Sequence, residues 1–240
     1  MITHAVIFAP IGQISRSDQI VQRLSNAIIT GLLEPHEQLP NEADLARMMG
    51  VSHITIREAL NTLRANNLIH TVRGRNGGSF VCENVGDKSD GPHPLDALGT
   101  DYLADLGEMH CAIVSHSAML AARRMTEADI ARFREYVAMF TAAATPELKA
   151  QADLRCLLTV AAGSHSTRLA SQELQLQSEW SSLAADAYRS DAVHRDVVGH
   201  YTRLADALGE RDAPLAVSAS AQIINTLTTC LIENKLKHNK

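Results

Sequence analysis

The stretch LPNEADLARMMGVSHITIREALNTLRANNLIHTVRGRNGGSFV, residues 39–81, decides how the chain is read. Asn41 stands where a helix N-cap belongs, and Glu42 and Asp44 follow in the first turn, where the helix dipole favours negative charge. Leu45, Met48 and Met49 supply an apolar face. Gly50 ends the helix, because glycine takes a positive φ without a Cβ clash. Val51 is the apolar residue of the turn, and Ser52 caps a second helix over 53–66. There Ile56, Ala59, Leu60 and Leu63 fall at i, i+3, i+4 and i+7 and predict one buried face. The other face carries His53, Thr55, Arg57, Asn61 and Arg64. Asn66 and Asn67 break the helix. Residues 68–72 then read as a strand, 73–77 as a turn and 78–82 as the return strand. Two short helices across a tight turn, followed by a glycine-tipped hairpin, make a winged helix-turn-helix. That shape sets its second helix in the major groove of DNA.

Charge supports this locally. The whole chain carries −5, yet from Ser52 to Arg75 four arginines stand against Glu58 alone, about +3. The candidate DNA contacts are Ser52, His53, Thr55, Arg57, Asn61 and Arg64 from the second helix, with Arg73, Gly74 and Arg75 from the wing. Glycines let backbone approach a phosphate, and the arginines supply charge. Arg57 could instead pair with Glu58 or Asp44.

Leu39–Ala46, Gly50–Ser52, Ile56–Leu60, Leu63, Leu68–Ile69 and the RGRNGGSFV run at 73–81 resemble the GntR family of bacterial transcription regulators. Residues 17–31 fit as that family's first helix, with Ile20, Leu24 and Ile28 at four-residue spacing. The resemblance implies base and phosphate contacts from the second helix, the start of the recognition helix and the wing tip. Ser52, Thr55, Arg57, Arg73 and Gly74 match. Ala43 and His53 stand where the family usually has arginine, which implies an operator different from the common one.

At 240 residues the chain has room for two cores. Hydrophobic residues make up 45% and aromatics only 4%, which predicts an alanine- and leucine-rich helical interior. No run of 18 apolar residues occurs, so no membrane span is expected. The N-terminal stretch lacks the basic start of a signal peptide. Cys82, Cys111, Cys156 and Cys230 are widely spaced, as expected of reduced thiols in a cytoplasmic protein. The run GDKSDGPHP at 86–94 reads as a linker. Beyond it, helices are expected at about 95–105, 106–124, 127–143, 147–163, 166–189, 191–209 and 213–235, forming an antiparallel bundle. Thr126, Thr145 before Pro146, and Asp212 before Pro214 are the expected starts of three of them.

The bundle resembles the FCD effector domain of the FadR-like branch, through Asp105–Glu108, Ala121–Asp129, Asp153, Ala161–Ser164, His200 and Leu204–Ala213. Many such domains hold a divalent metal with one aspartate and three histidines, and open positions on the metal can take a ligand carboxylate. Asp153 and His200 match two of these ligands. Leu157 and Gln222 replace the other two, so a divalent metal is a less favoured occupant and no cofactor is required. His110 stands where an arginine is usual. Helical phase turns Asp153 inward with Leu157 and Val160, His200 with Val197, Tyr201 and Leu204, and Gln222 with Leu215, Ala219 and Thr226. His110, Asp153, His200 and Gln222 are therefore the candidate effector pocket. A metal, a polar ligand, ordered water or one another could satisfy them.

The expected architecture is mostly α: a winged helix-turn-helix at 12–82, a linker at 83–94 and an all-α antiparallel helical bundle at 95–235. The expected function is a metabolite-responsive transcription regulator, acting as a homodimer on a near-palindromic operator in double-stranded DNA and repressing. Its small-molecule effector could be a carboxylate metabolite, and no catalytic residues are assigned. Two other readings are an architectural DNA-binding protein whose bundle only dimerises, and a metal-dependent enzyme with an accessory DNA-binding unit.

Overall fold

Ser15 and Asp18 open the first helix, α1 (Arg16–Ile29): the Asp18 amide donates to the Ser15 hydroxyl, and the Ser15 amide donates back to the Asp18 carboxylate. The computed structural model describes residues 15–29, 31–72, 74, 77–83, 95 and 98–238, with side chains to 237. Arg73, Arg75 and the expected linker from 84 to 94 lie outside the described residues. Two compact units divide between 85 and 86, and the short segment Ile29–Leu33 groups with the second.

In the first unit α1 buries Ile20, Leu24 and Ile28 along one stripe. α2 (Glu42–Met49) begins where the Asp44 amide donates to the Asn41 side chain at 2.9 Å. It ends at Gly50, whose φ of +65° is a left-handed conformation that a Cβ would strain. α3 (His53–Ala65) buries Ile56, Ala59, Leu60 and Leu63. Met48, expected on the inner face of α2, is instead 71% exposed. Residues 45, 46 and 49 define that face, and at 100° per residue position 48 points about 110° away from its centre.

β1 (Ile69–Val72) and β2 (Gly78–Val81) pair antiparallel, with Ile69 opposite Val81 and Val72 opposite Gly78. A third segment completes the wing. Leu39 donates its amide to Ser79 at 2.9 Å, His36 donates to Val81 at 3.0 Å, and Val81 donates to Glu37 at 3.0 Å. The free edge of β2 is thereby covered by residues 36–39, which the sequence pattern did not mark.

The second unit contains α4 (Thr100–Arg124), α5 (Glu127–Ala142), α6 (Pro146–Gly163), α7 (Thr167–Ala187), α8 (Asp191–Gly209) and α9 (Ala213–His238). Three-residue connections fold α6 back on α5, α7 on α6, and α9 on α8. α4 packs most extensively on α9, and α6 touches α4, α5 and α7. Thr126 and Asp129 form a full capping box, Thr145 accepts from the Leu148 amide, and Asp212 accepts from the Leu215 amide. The core is more aromatic than composition suggests: the Phe140 ring lies 5.4 Å from Tyr188 and 5.2 Å from Tyr201, and Trp180 is fully buried.

One expectation needs correction. One long helix, α4 (Thr100–Arg124), starting after Gly99, runs through 105–106, where two helices were expected to meet. α9 meets the length and hydropathy of a membrane span over Ala213–Lys237, with a mean hydropathy of 1.5. Its Ala216, Ile223, Ile224, Leu227 and Leu231 are fully buried in the bundle, so α9 is a core helix of this unit.

Gly107, inside α4, marks a close approach of that helix to α9. A Cβ at Gly107 would sit 2.4 Å from Thr228 Oγ1 and 2.6 Å from its Cγ2. Thr228 donates to the Ile224 carbonyl at 2.8 Å, which fixes its rotamer. Gly107→Val is expected to destabilise the bundle by about 1–3 kcal/mol. An unchanged denaturation midpoint would contradict this packing of α4 on α9.

Candidate nucleic-acid interface and buried polar site

The winged unit exposes the face that its apolar stripe leaves over. Ser52 caps α3 by accepting from the Thr55 amide at 3.2 Å, and the two hydroxyls lie 2.8 Å apart. These two residues therefore fix the start of the helix. His53, Arg57 and Asn61 follow at i, i+4 and i+8, all exposed. Arg57 donates from Nε and Nη2 to Glu42 Oε2 at 3.2 and 3.0 Å, so its partner is Glu42 rather than Glu58 or Asp44. This cross-helix pair sets the guanidinium plane and leaves Nη1 and the second Nη2 hydrogen for other acceptors. Arg64 donates to Thr71 at 2.7 Å and to Asn61, which links α3 to the wing.

Gly74 has a φ of +121°, and open space surrounds the position of a Cβ. At Gly77 a Cβ would meet the Val72 carbonyl at 2.4 Å, so the turn requires glycine there. Arg73 and Arg75 lie outside the described residues.

Two features of this surface escaped the sequence reading. Ile54 is 69% exposed beside His53, an apolar group suited to a thymine methyl. A cleft of about 240 Å³ also lies between α1 and the helix-turn-helix turn, with Arg16, Gln19, Arg23 and Gly50 on its walls. The arginines were visible in the sequence; their convergence on Gly50 was not.

In the bundle, His110 of α4 and Asp153 of α6 are both buried, and the charges of His110 and Glu173 bear on the Asp153 carboxyl. Tyr201 of α8 donates to Asp153 Oδ1 at 2.5 Å. Burial pushes the Asp153 carboxyl up to about 6 against the pull of the Tyr201 and Tyr188 hydroxyls and of His110. Burial and then the Asp153 charge raise both tyrosines well above their ordinary range. Burial likewise raises the Cys156 thiol.

His110 Nε2 lies 3.0 Å from Glu173 Oε1, and Gln177 Nε2 donates to the same oxygen at 2.7 Å. The His110 ring stands edge-on to Trp180 at 4.5 Å. Glu173, Gln177 and Trp180 share one face of α7, at i, i+4 and i+7. All three were missed by the sequence reading, although Leu176, Leu183 and Ala184 on the same helix mark that side as inward.

His200 and Gln222 do not join the network. His200 is half-buried and lies 3.2 Å from Thr226 Oγ1 and close to Arg203. Burial and the Arg203 charge lower its pKa. Gln222 is exposed, because Ala219, Ile223 and Leu227 occupy the inner face of α9. Leu215, expected beside it in the interior, is 38% exposed.

This geometry does not fit the metal that the resemblance implies. Asp153 gives one oxygen to Tyr201, Leu157 offers no donor, His200 has other partners and Gln222 faces outward. Among the described residues, no group of three His, Cys, Asp or Glu side chains could hold a metal. Dialysed protein is therefore expected to retain well under one transition-metal ion per chain by elemental analysis. One retained equivalent would contradict this assignment. Four cysteines remain unpaired with one another.

The buried network is short of partners. Among the described residues, seven buried polar atoms make no hydrogen bond: His110 Nδ1, Ser117 Oγ, Asp153 Oδ2, Glu173 Oε2, Gln177 Oε1, Trp180 Nε1 and Tyr188 Oη. Each such group costs roughly 1–3 kcal/mol if left empty-handed, so a guest, water or ligand, belongs with them.

Comparison with known proteins agrees with both halves. Residues 16–81 match the model of bacterial regulatory proteins of the gntR family, and residues 105–226 match the FCD domain. A Mycobacterium gastri protein named as an HTH-type transcriptional regulator, RmpR, is 37% identical over 202 residues, covering 80% of this chain and 74% of its own length. The Uxu operon transcriptional regulator of Escherichia coli is 25% identical over 220 residues, covering 88% of this chain and 84% of its own. Among solved structures, E. coli McbR/YncC superposes with a TM-score of 0.53 at 20% identity, over 92% of this chain and 99% of its own, a likeness of fold.

Proposed function

The chain belongs to the gntR family of bacterial regulatory proteins and carries an FCD domain, and from that premise we propose that two copies of it repress transcription from a near-palindromic operator until a small molecule enters the bundle. Each copy sets α3 into one half-site. His53, Ile54, Arg57 and Asn61 face the base edges, while Arg16, Arg23, Arg64 and the wing meet phosphates. Two-fold symmetry of the pair then matches the symmetry of the operator.

The observation that carries this reading is the division of α3. Ile56, Ala59, Leu60 and Leu63 are buried on one side, while the other side presents a basic, solvent-facing row on a short helix.

The effector works only through a difference in its affinity for the DNA-bound and released states. The buried polar network is where such a difference can arise, because His110, Asp153, Glu173 and Tyr201 come from four helices, α4, α6, α7 and α8. A guest that bonds several of them shifts those helices together.

Capture of genomic fragments by the purified protein tests the reading. One or a few sequences with inverted half-sites should be recovered, with affinity falling as salt rises. Recovery of fragments without a shared sequence would favour an architectural protein. Turnover of a small molecule by the bundle would favour an enzyme.

A further inference from the structure

We infer that the buried site takes a small protonated amine, held by the carboxylates of Asp153 and Glu173, in place of a metal-bound carboxylate. The inference rests on the reading of the bundle as an effector domain and names the chemistry that it senses.

The unpaired atoms set the class. Asp153 Oδ2, Glu173 Oε2 and Gln177 Oε1 only accept hydrogen bonds while the acids are ionised, and none makes a hydrogen bond among the described residues, although the Tyr188 hydroxyl bears on the Asp153 carboxylate. Trp180 Nε1 is the single obligate donor among the seven, since His110 Nδ1, Ser117 Oγ and Tyr188 Oη can act either way. The site therefore lacks donors, not acceptors. An ammonium group carries three donors and no acceptor, which complements three orphaned oxygens.

Charge points the same way. Two carboxyl groups share the site with one imidazole. No arginine or lysine among the described residues pairs with Asp153 or Glu173. The buried lysine of α6, Lys149, binds Asp191 at 2.8 Å. His110 occupies the position where the resemblance implies an arginine, and its Nε2 is already directed at Glu173. A carboxylate ligand would add a third acid and more acceptors, with no guanidinium to receive it. A buried positive charge needs a paired, hydrogen-bonded partner, and this site offers two.

The site is sealed: His110, Asp153, Glu173, Gln177 and Trp180 are all buried. Entry therefore requires α7, which carries three of them, to part from α4 and α6. Occupancy then draws α7 back, which makes the amine a clamp on the bundle.

Thermal-shift and calorimetric titrations of the full chain test this. The probes are methylammonium, propylammonium and putrescine chlorides, sodium acetate, lactate and citrate, and zinc and nickel chlorides. At least one ammonium probe should raise the melting midpoint saturably, and the acids and metals should not. Glu173→Gln and Asp153→Asn should weaken that binding at least tenfold while keeping wild-type circular dichroism. Should Glu173→Gln fail to fold, Gln177→Leu removes one acceptor instead and should weaken the same binding. Saturable binding of a carboxylate or of zinc or nickel, lost in Asp153→Asn, would overturn the amine and leave the effector site standing. No saturable binding of any probe would overturn both.

Discussion

Arg57→Ala is expected to weaken operator binding by roughly 5- to 150-fold per half-site, the 1–3 kcal/mol of a bidentate arginine contact, and by more when both half-sites lose it. The effect should appear with the protein still folded. Arg57 is exposed, and its pairing with Glu42 at 3.0 Å is a surface ion pair, of a kind that contributes only about 0–1 kcal/mol to stability. The core side of α3 does not involve it. Gel-shift titration beside a denaturation curve separates the two quantities. Unchanged operator affinity would remove Arg57 from the interface.

The second large effect concerns Asp153. Its folded pKa is raised to about 6 from 3.8, mainly by burial. Well below pH 3.8 the carboxyl is protonated in both the folded and unfolded chain, and its burial carries no ionisation penalty. Between these two values the unfolded chain releases the proton while the folded chain keeps it, so stability falls as pH rises. Above 6 the full penalty is present, about 3 kcal/mol. Asp153→Asn keeps an oxygen for the Tyr201 hydroxyl and removes the charge. At pH 7 it should raise the melting midpoint by about 6–12 °C, and the gain should shrink through pH 4 and vanish by about pH 3. Asp129 and Asp191 are shifted the other way, Asp129 chiefly by its bonds with Thr126 and Asp191 by its bond with Lys149, and they remain in both proteins. The difference between variant and parent therefore isolates Asp153. A midpoint lowered at pH 7, or a gain independent of pH, would contradict the ionised buried carboxylate. Retaining so costly a charge is intelligible if the charge binds something: stability is given up where function needs an unpaired group.

Much of the winged unit was legible because its helices are amphipathic. A stripe such as Ile56, Ala59, Leu60 and Leu63 has one phase only, and asparagine, serine and glycine punctuate both ends. Met48 misled because an eight-residue helix has too few turns to fix the phase. Residues 36–39 misled because a segment that joins a sheet by backbone bonds alone needs no alternation of side chains. The bundle was legible in its caps and less so in its interior. α9 is apolar on most sides, so the inward position of Ile223 and the outward position of Gln222 cannot be told apart by period. Glu173 and Gln177 were overlooked for the opposite reason: charged and amide side chains on a helix usually face water, and only contact with His110 shows that these do not.

Hydrogen–deuterium exchange on the full chain, with and without a duplex recovered from the genome, tests the reading of α3 most directly. The account predicts slowed exchange at the first two turns of α3 and at the turn joining β1 to β2, under salt that abolishes binding to unrelated duplex. Tight binding with protection confined to the bundle, or no duplex bound beyond the unrelated control, would contradict it.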